Sequence, residues 1–143
     1  MLRYSNSISA EEYCELRSSV GWPPLIPEQA RSGLEHSDHI AACRDDGAIA
    51  GCARIFWDKG YIAYLADVMV KPAYQGRGIG TRLVRSCIDY IDSRRREGWR
   101  VKIVIVSSKG KEAFYEKLGF QRRPNERDGA GMNLWREGEK TGL

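Results

Sequence analysis

One stretch in the middle of the chain limits the possible folds more than any other feature of the sequence. Residues 61–70 carry apolar side chains on both faces of an extended chain, as expected for a central strand. Three glycines at alternate positions follow, Gly76, Gly78 and Gly80, and an amphipathic helix comes directly after them. A buried strand, a tight glycine-rich turn and a helix in this order predict an α/β fold.

The remaining segments predict further strands and helices around this central unit. A capping box formed by Ser9 and Glu12 begins the first helix, and Pro27 suits the first turn of the second. Strands are expected at residues 2–5, 39–44, 48–57, 61–70, 101–106, 120–122 and 132–135, and helices at 9–20, at 27–34, from the glycine-rich turn up to Gly98, and at 112–118. The predicted order is β-α-α-β-β-β-α-β-α-β-β, which gives a mixed α/β sheet.

Size and composition narrow the class of protein. With 143 residues and no internal repeat or linker, the chain is predicted to form a single domain over residues 1–143. No apolar run reaches the roughly 20 residues that cross a bilayer, and the first residues lack the apolar stretch of a signal peptide. We therefore expect a cytoplasmic protein with no membrane partner.

Charge and metal-ligating residues argue against two other classes of protein. The net charge of +4 is a mild excess, and the densest basic run, at 94–96, ends a predicted helix, where cations complement the helix dipole. No nucleic-acid partner is expected. The four cysteines include no C-x-x-C pair, and Cys52 and Cys87 fall in apolar patterns as small buried residues. Because His36 and His39 lack a third ligand nearby in sequence, no metal site is expected.

The glycine-rich segment has the properties of an anion-binding loop. Glycine allows backbone N–H groups to turn inward, and the following helix presents unsatisfied N–H groups and the positive end of its dipole. Arg77 and Arg82 add positive charge. A dinucleotide fingerprint would need glycine at position 81, which is Thr81, and a Walker loop would need lysine after Gly80. We interpret the segment as a pyrophosphate cradle; a tight turn that binds nothing is the alternative.

Two motifs resemble those of the GCN5-related N-acetyltransferase (GNAT) superfamily. Gln75-x-x-Gly78-x-Gly80, after a strand that ends at Val70, is similar to the family's acetyl-CoA-binding motif. Residues 113–120, Ala-Phe-Tyr-Glu-Lys-Leu-Gly-Phe, are similar to its penultimate helix and following strand. The order and spacing of the elements also match, so the resemblance covers nearly the whole chain. It implies the acyl-CoA N-acyltransferase fold, a splayed central sheet flanked by helices, with acetyl-CoA as co-substrate.

The resemblance also implies which residues bind acetyl-CoA. Backbone groups of Val68, Met69 and Val70 would pair with the pantetheine arm like an added strand, and an N–H near Met69 would stabilise the oxyanion. Ser108 stands where many members carry an asparagine that contacts the cofactor. The pyrophosphate would be held by the backbone of Gln75, Gly76, Arg77, Gly78, Ile79, Gly80 and Thr81.

Tyr115 is the candidate general acid. Acetyl transfer from a thioester to an amine needs a neutral amine, a stabilised oxyanion and a proton for the departing thiolate. The reference pKa of tyrosine, about 10, lies above the ~8.5 of a thiol, so the phenol is protonated at neutral pH. The resemblance places it beside the cofactor sulfur. The alternative is that Tyr115 packs with Phe114, Leu118 and Phe120 in the core.

Asp67 is the candidate general base, acting through water. It is the one ionised side chain in residues 61–70, and a carboxylate in a central strand is costly unless it is solvated or paired. Asp67 is therefore expected to face a wet cleft. An ion pair with Arg54 on the neighbouring strand is the alternative.

The acceptor is the least constrained part of the prediction. Trp22 and Tyr64 are candidate substrate-contacting residues, as apolar or cation-binding walls, although large aromatic residues also serve as core. The predicted function is direct transfer of an acetyl group, in a ternary complex, to a primary amine of a small molecule, an amino-acid derivative or a peptide. A non-catalytic acetyl-CoA-binding regulatory domain is the alternative. The family resemblance also predicts that the protein can form a homodimer.

Overall fold

The computed structural model describes residues 1–140, which form two compact units that divide after Ile105. The first unit contains β1 (Leu2–Ser5), α1 (Ala10–Ser19), α2 (Pro27–Glu35), β2 (His39–Asp45), β3 (Ala48–Trp57), β4 (Ile62–Val70), α3 (Ile79–Arg94) and β5 (Lys102–Ile105). The second unit contains α4 (Glu112–Glu116). A single domain over residues 1–143 stays a prediction. None of the helices within residues 1–140 has the length and apolar character to span a membrane.

The five strands form one sheet in the order β1-β2-β3-β4-β5. Strands β1 to β4 are antiparallel neighbours, and β5 runs parallel to β4, so the predicted mixed α/β sheet is confirmed. The ladder between β4 and β5 ends at the pair Leu65–Ile105, whereas β4 continues beside β3 as far as Val70. Strands β4 and β5 thus stop pairing halfway along β4, as a splayed sheet requires.

The helices of the first unit bury apolar residues against this sheet. Helix α1 packs on α2, and Leu16 and Leu34 join the core between these helices and the strands. Helix α3 packs on β2, β3 and β4. A Cβ on Gly51 would lie 2.8 Å from the carbonyl oxygen of Met69 and 3.2 Å from Leu83, so glycine permits this close approach of β3, β4 and α3. The buried residues of α3 are Ile79, Leu83, Val84, Cys87 and Ile91.

Helix α1 begins at the predicted capping box. The Ser9 hydroxyl accepts a hydrogen bond from the Glu12 N–H at 3.0 Å, and the Glu12 carboxylate accepts one from the Ser9 N–H at 3.0 Å. The same carboxylate takes two hydrogen bonds from Arg44 of β2, at 2.8 and 2.7 Å. This charge-assisted pair ties α1 to β2 and lowers the pKa of Glu12 to about 2.

Glu12→Gln is expected to remove part of the pH dependence of unfolding in acid. Since Arg44 lowers the pKa of Glu12 from 4.5 to about 2, the stabilisation is fully present above pH 4.5 and is lost as the pH falls toward 2. A shift of this size corresponds to at most about 3 kcal/mol, less after solvent screening. Urea unfolding at pH 7 and pH 3 measures the effect. Equal losses of stability in wild type and variant would contradict the assignment.

The strands predicted at 120–122 and 132–135 are absent from the described residues, so that part of the predicted order is wrong. Asn125 instead closes a turn. Its N–H donates to the Asp128 carbonyl oxygen at 2.9 Å, and its side-chain oxygen accepts from the N–H groups of Arg127 and Asp128. Alternating apolar residues make a strand where a neighbouring strand pairs with them, and these apolar residues are solvent-exposed. They are Met132 at 91%, Leu134 at 82% and Trp135 at 78% exposure.

Candidate active site

The loop between β4 and α3 is shaped by two glycines with a left-handed backbone. Gly76 has a φ of +81° and Gly78 a φ of +80°, and Gly78 is the N-cap of α3. The side-chain amide of Gln75 donates to the carbonyl oxygen of Val70 at 3.0 Å, which ties the loop to the end of β4. A Cβ on either glycine would meet no atom within 4 Å. The backbone therefore has room for a ligand beside it.

The start of α3 has the electrostatic character of an anion site. The first four N–H groups of a helix have no partner within the helix, no side chain caps Gly78, and the first turn carries no acidic residue. The guanidinium of Arg77 lies 5.1 Å from the Tyr74 ring, and that of Arg82 lies 3.8 Å from the Tyr4 ring. Unpaired N–H groups, the helix dipole and two arginines favour a bound anion. The binding role of residues 75–81 stays a prediction.

The end of β4 turns some of its backbone groups away from β3. The Lys71 N–H donates to the Ala50 carbonyl oxygen at 2.9 Å, and backbone groups of an antiparallel strand face one neighbour at alternate residues. By this alternation Met69 faces β3 and Val70 faces the β5 side, beyond the last β4–β5 pair. The Val68 carbonyl, which lies opposite the Met69 N–H in one planar peptide, also points away from β3. Pairing of the backbone of Val68, Met69 and Val70 with a strand-like ligand stays a prediction.

A β-bulge interrupts β4 directly before this edge. Between Ala66 and Met69, β4 has one more residue than the facing part of β3. Asp67 lies in the bulge with a φ of +53°, and its carbonyl oxygen is 3.4 Å from the Cys52 thiol, which donates to it. The bulge therefore changes the direction of the peptide groups that follow Asp67.

The Asp67 side chain belongs to a polar cluster between β3, β4 and α1. Its Oδ2 accepts hydrogen bonds from Arg54 Nε at 2.5 Å and from the Tyr13 hydroxyl at 2.8 Å. The Arg54 and Asp67 side chains are 15% and 14% exposed. The ion pair that was the alternative for Asp67 is present, and its role as a base stays a prediction. Burial, and next the Asp67 charge, raise the pKa of Tyr13 to about 12, so this hydroxyl is a donor at neutral pH.

Tyr13 is a member of this cluster that the sequence did not indicate. Its helical spacing from Ala10 and Leu16 predicts a core residue, and the side chain is indeed 1% exposed. The available signal was Arg54, since an arginine within an otherwise apolar strand needs a partner when it is buried. That signal points to Asp67 but not to a hydroxyl from a helix 54 residues away.

In the second unit, Tyr115 lies on α4 and is 8% exposed. Its ring makes edge-to-face contacts with Phe114, at a centroid distance of 4.9 Å, and with Phe120, at 5.9 Å. Tyr115 therefore packs against Phe114 and Phe120, as the alternative for this residue predicted. Its role as general acid stays a prediction. Ser108 is exposed before α4, and its carbonyl oxygen accepts from the Lys111 N–H at 3.0 Å.

The two candidate acceptor residues differ in their surroundings. Trp22 is half-buried against the α1–α2 core, and the Arg17 guanidinium lies 5.5 Å from its ring. Arg17 also donates two hydrogen bonds to the Pro23 carbonyl oxygen, at 3.2 and 2.7 Å. Tyr64 of β4 is 40% exposed, and burial followed by the Asp67 charge raises its pKa. Contact of either residue with a substrate stays a prediction.

Within residues 1–140, no three histidine, cysteine or acidic side chains form a group that could hold a metal ion. His39 instead stacks on Tyr90 at 4.8 Å, and its Nε2 lies 3.0 Å from the Ser86 hydroxyl. Cys52 and Cys87, predicted to be buried, are 2% and 0% exposed. His39 and Cys52 thus pack against neighbouring side chains.

The region that contains β4, the glycine-rich loop, α3 and α4 matches a known family. The family model of the acetyltransferase (GNAT) domain covers residues 36–122, more than half of the chain. The predicted family is confirmed: the chain belongs to the GNAT family and is an acetyltransferase of the GNAT type.

Individual relatives agree with this assignment. The chain is 28% identical over 138 residues to an uncharacterized N-acetyltransferase of Porphyra purpurea, covering 94% of this chain and 75% of the relative. It is 32% identical over 104 residues to the N-alpha-acetyltransferase RimI of Mycobacterium tuberculosis, covering 71% and 62%. A solved structure from Staphylococcus aureus, described as a probable acetyltransferase, superposes with a TM-score of 0.84 at 26% identity, covering 95% of this chain and all of that one.

Proposed function

We propose that this chain transfers the acetyl group of acetyl-CoA to a primary amine of a small molecule, an amino-acid derivative or a peptide. The observation that carries the proposal is the start of α3. There a left-handed Gly78, without a side-chain cap, directs helix N–H groups toward an anion, in a turn free of acidic residues. A diphosphate ester fits this site, and membership of the acetyltransferase family supports acetyl-CoA as the donor.

The end of β4 supports the same donor. The pantetheine arm of acetyl-CoA is a chain of amides, and the outward backbone groups of Val68 and Val70 can pair with them as with an added strand. These residues directly precede the glycine-rich loop, to which Gln75 ties the end of β4. One short segment thus offers backbone contacts to the arm and N–H groups to the diphosphate.

The transfer step follows from the chemistry of a thioester. The neutral amine nitrogen attacks the carbonyl carbon, a C–N bond forms, and the C–S bond breaks as the tetrahedral oxyanion collapses. The Val68 N–H, at the β4 bulge, stabilises that oxyanion. Tyr115 gives its proton to the departing thiolate, and the nitrogen, which became positively charged on attack, loses a proton to water. Water returns a proton to the Tyr115 phenolate, so the products are a neutral amide and the CoA thiol.

Asp67 removes the proton that the amine carries. An alkylammonium titrates near 10.4 by analogy with lysine, so at pH 7 it has to lose a proton before attack. Both hydrogen bonds to the Asp67 carboxylate from residues 1–140 go to Oδ2, and no buried side-chain nitrogen or oxygen lacks a partner in that part of the chain. Oδ1 is therefore in reach of solvent and can take the proton through a water molecule.

Acceptor screening tests the function. Purified protein with acetyl-CoA is expected to release free thiol when supplied with one class among peptide α-amines, amino acids, polyamines, amino sugars and arylalkylamines. Peptide α-amines belong in the panel because one relative is named an N-alpha-acetyltransferase. Binding of acetyl-CoA by calorimetry without thiol release from any amine would favour the non-catalytic regulatory domain. Absence of binding to folded protein would refute the proposal.

A further inference from the structure

We propose that Tyr13 and Arg54 are positioning residues for acetyl transfer, because they hold the β4 bulge in the conformation that aims the Val68 N–H. The inference rests on the proposed function, since it assigns this N–H to the thioester oxygen. Neither residue touches the reacting atoms in the proposed transfer. Both act through the side chain of Asp67.

The backbone of Asp67 is unusual within a strand. Among residues 1–140, three non-glycine residues have positive φ: Asp46, Lys59 and Asp67. Asp46 and Lys59 lie in the turns that join β2 to β3 and β3 to β4, where left-handed residues are common. Asp67 lies inside β4, where such a conformation costs about 1–3 kcal/mol and persists when the surroundings fix it.

Two donors from different elements fix the Asp67 side chain. Arg54 reaches Oδ2 from β3 at 2.5 Å, and Tyr13 reaches the same oxygen from α1 at 2.8 Å. The guanidinium is itself held, because its Nη1 donates to the Ser37 hydroxyl at 3.3 Å and it lies 5.0 Å from the Phe56 ring. The bulge is therefore constrained from α1 and from β3 at once.

Stability alone does not explain this cluster. A mostly buried ion pair is often no more stabilising than apolar packing of the same volume. The rest of the α1 contact is apolar, with Ala10 and Leu16 buried beside Tyr13. What the cluster does determine is the Asp67 backbone, and with it the direction of the next peptide N–H. A misplacement of about 1 Å in a reacting group can lower the rate on the order of 10²-fold.

Matched variants test the positioning role. Tyr13→Phe removes one hydroxyl and keeps the ring, and Arg54→Lys keeps the charge and loses the Nε donor. Glu12→Gln is the control, because it breaks a different ion pair between α1 and the sheet, of similar exposure. Calorimetry gives the concentration of sites that bind acetyl-CoA, and each rate is divided by that concentration. We expect kcat to be about 10-fold or more lower in Tyr13→Phe and Arg54→Lys. The KM for acetyl-CoA should stay within about twofold, and the control should keep kcat.

The pH profile separates positioning from tuning of the base. A positioning role lowers kcat by the same factor at every pH. In the other case, the acidic side of the plot of kcat against pH would shift along the pH axis while the maximum kcat stayed the same. That result would mean that Tyr13 and Arg54 act on Asp67 as a base, and it would overturn the inference. So would kcat values within twofold of the wild type. If Arg54→Lys does not fold, Tyr13→Phe decides alone. A wild type without turnover would refute the proposed function and this inference together, whereas active variants beside an active wild type would refute the inference alone.

Discussion

Tyr115→Phe is expected to lower turnover about 10²-fold or more while acetyl-CoA still binds. Phenylalanine fills the same space beside Phe114 and Phe120, so the ring packing of α4 is kept and the phenolic proton is lost. The thiolate must then leave without a proton from this side chain. Thiol release under saturating substrates measures turnover, and calorimetry measures the affinity for acetyl-CoA.

A second tyrosine provides the control for this substitution. Tyr90→Phe removes a hydroxyl from a partly exposed tyrosine on α3, which has no part in the proposed transfer, and should leave turnover unchanged. Turnover of Tyr115→Phe within twofold of the wild type would exclude Tyr115 as the acid and leave it a packing residue.

Gly78→Glu is expected to weaken acetyl-CoA binding about 100-fold or more, equivalent to about 2.7 kcal/mol. Gly78 is the N-cap of α3, and its φ of +80° suits glycine far better than a larger residue. The new carboxylate would occupy the space beside the first N–H groups of the helix and would repel a diphosphate. Calorimetric titration with acetyl-CoA and with CoA measures the loss.

The chain offers a closely matched control for this variant. Gly98 has a φ of +82°, and a Cβ there would also meet no atom within 4 Å. Gly98→Glu therefore adds the same charge and the same backbone strain outside the glycine-rich loop. Thermal unfolding should show similar destabilisation of both variants, with binding lost only in Gly78→Glu. Equal weakening in both would trace the effect to general destabilisation, and full affinity of Gly78→Glu would show that the diphosphate binds elsewhere.

Local signals predicted much of the fold. The strand at 48–57 has the predicted bounds, because turn residues flank it on both sides. The capping box of Ser9 and Glu12 forms as expected, since it needs residues within one helical turn. Helix α3 ends at Arg94, before the predicted stop at Gly98, and the last two strands do not form. A strand depends on a partner elsewhere in the chain, which an alternating pattern does not supply.

The candidate site shows the same division between local and distant information. The loop of 75–81 could be predicted because its glycines and the helix that follows lie next to one another. The cluster around Asp67 could be predicted in part, since Arg54 is on the adjoining strand. The Tyr13 contact and the bulge could not, because they depend on how α1 packs over the sheet and on one extra residue in β4.

Strand β4 pairs on both sides as far as Leu65 and, within residues 1–140, with β3 alone from there to Val70. A donor molecule that bonds to this stretch would act as a removable sixth strand. Its binding energy would then add to the folding energy by RT ln(1 + [L]/Kd). When the concentration of the acetyl donor falls, the protein would lose its substrate and its free energy of unfolding would decrease as well. Its lifetime in a cell, as well as its rate, would then follow metabolic supply.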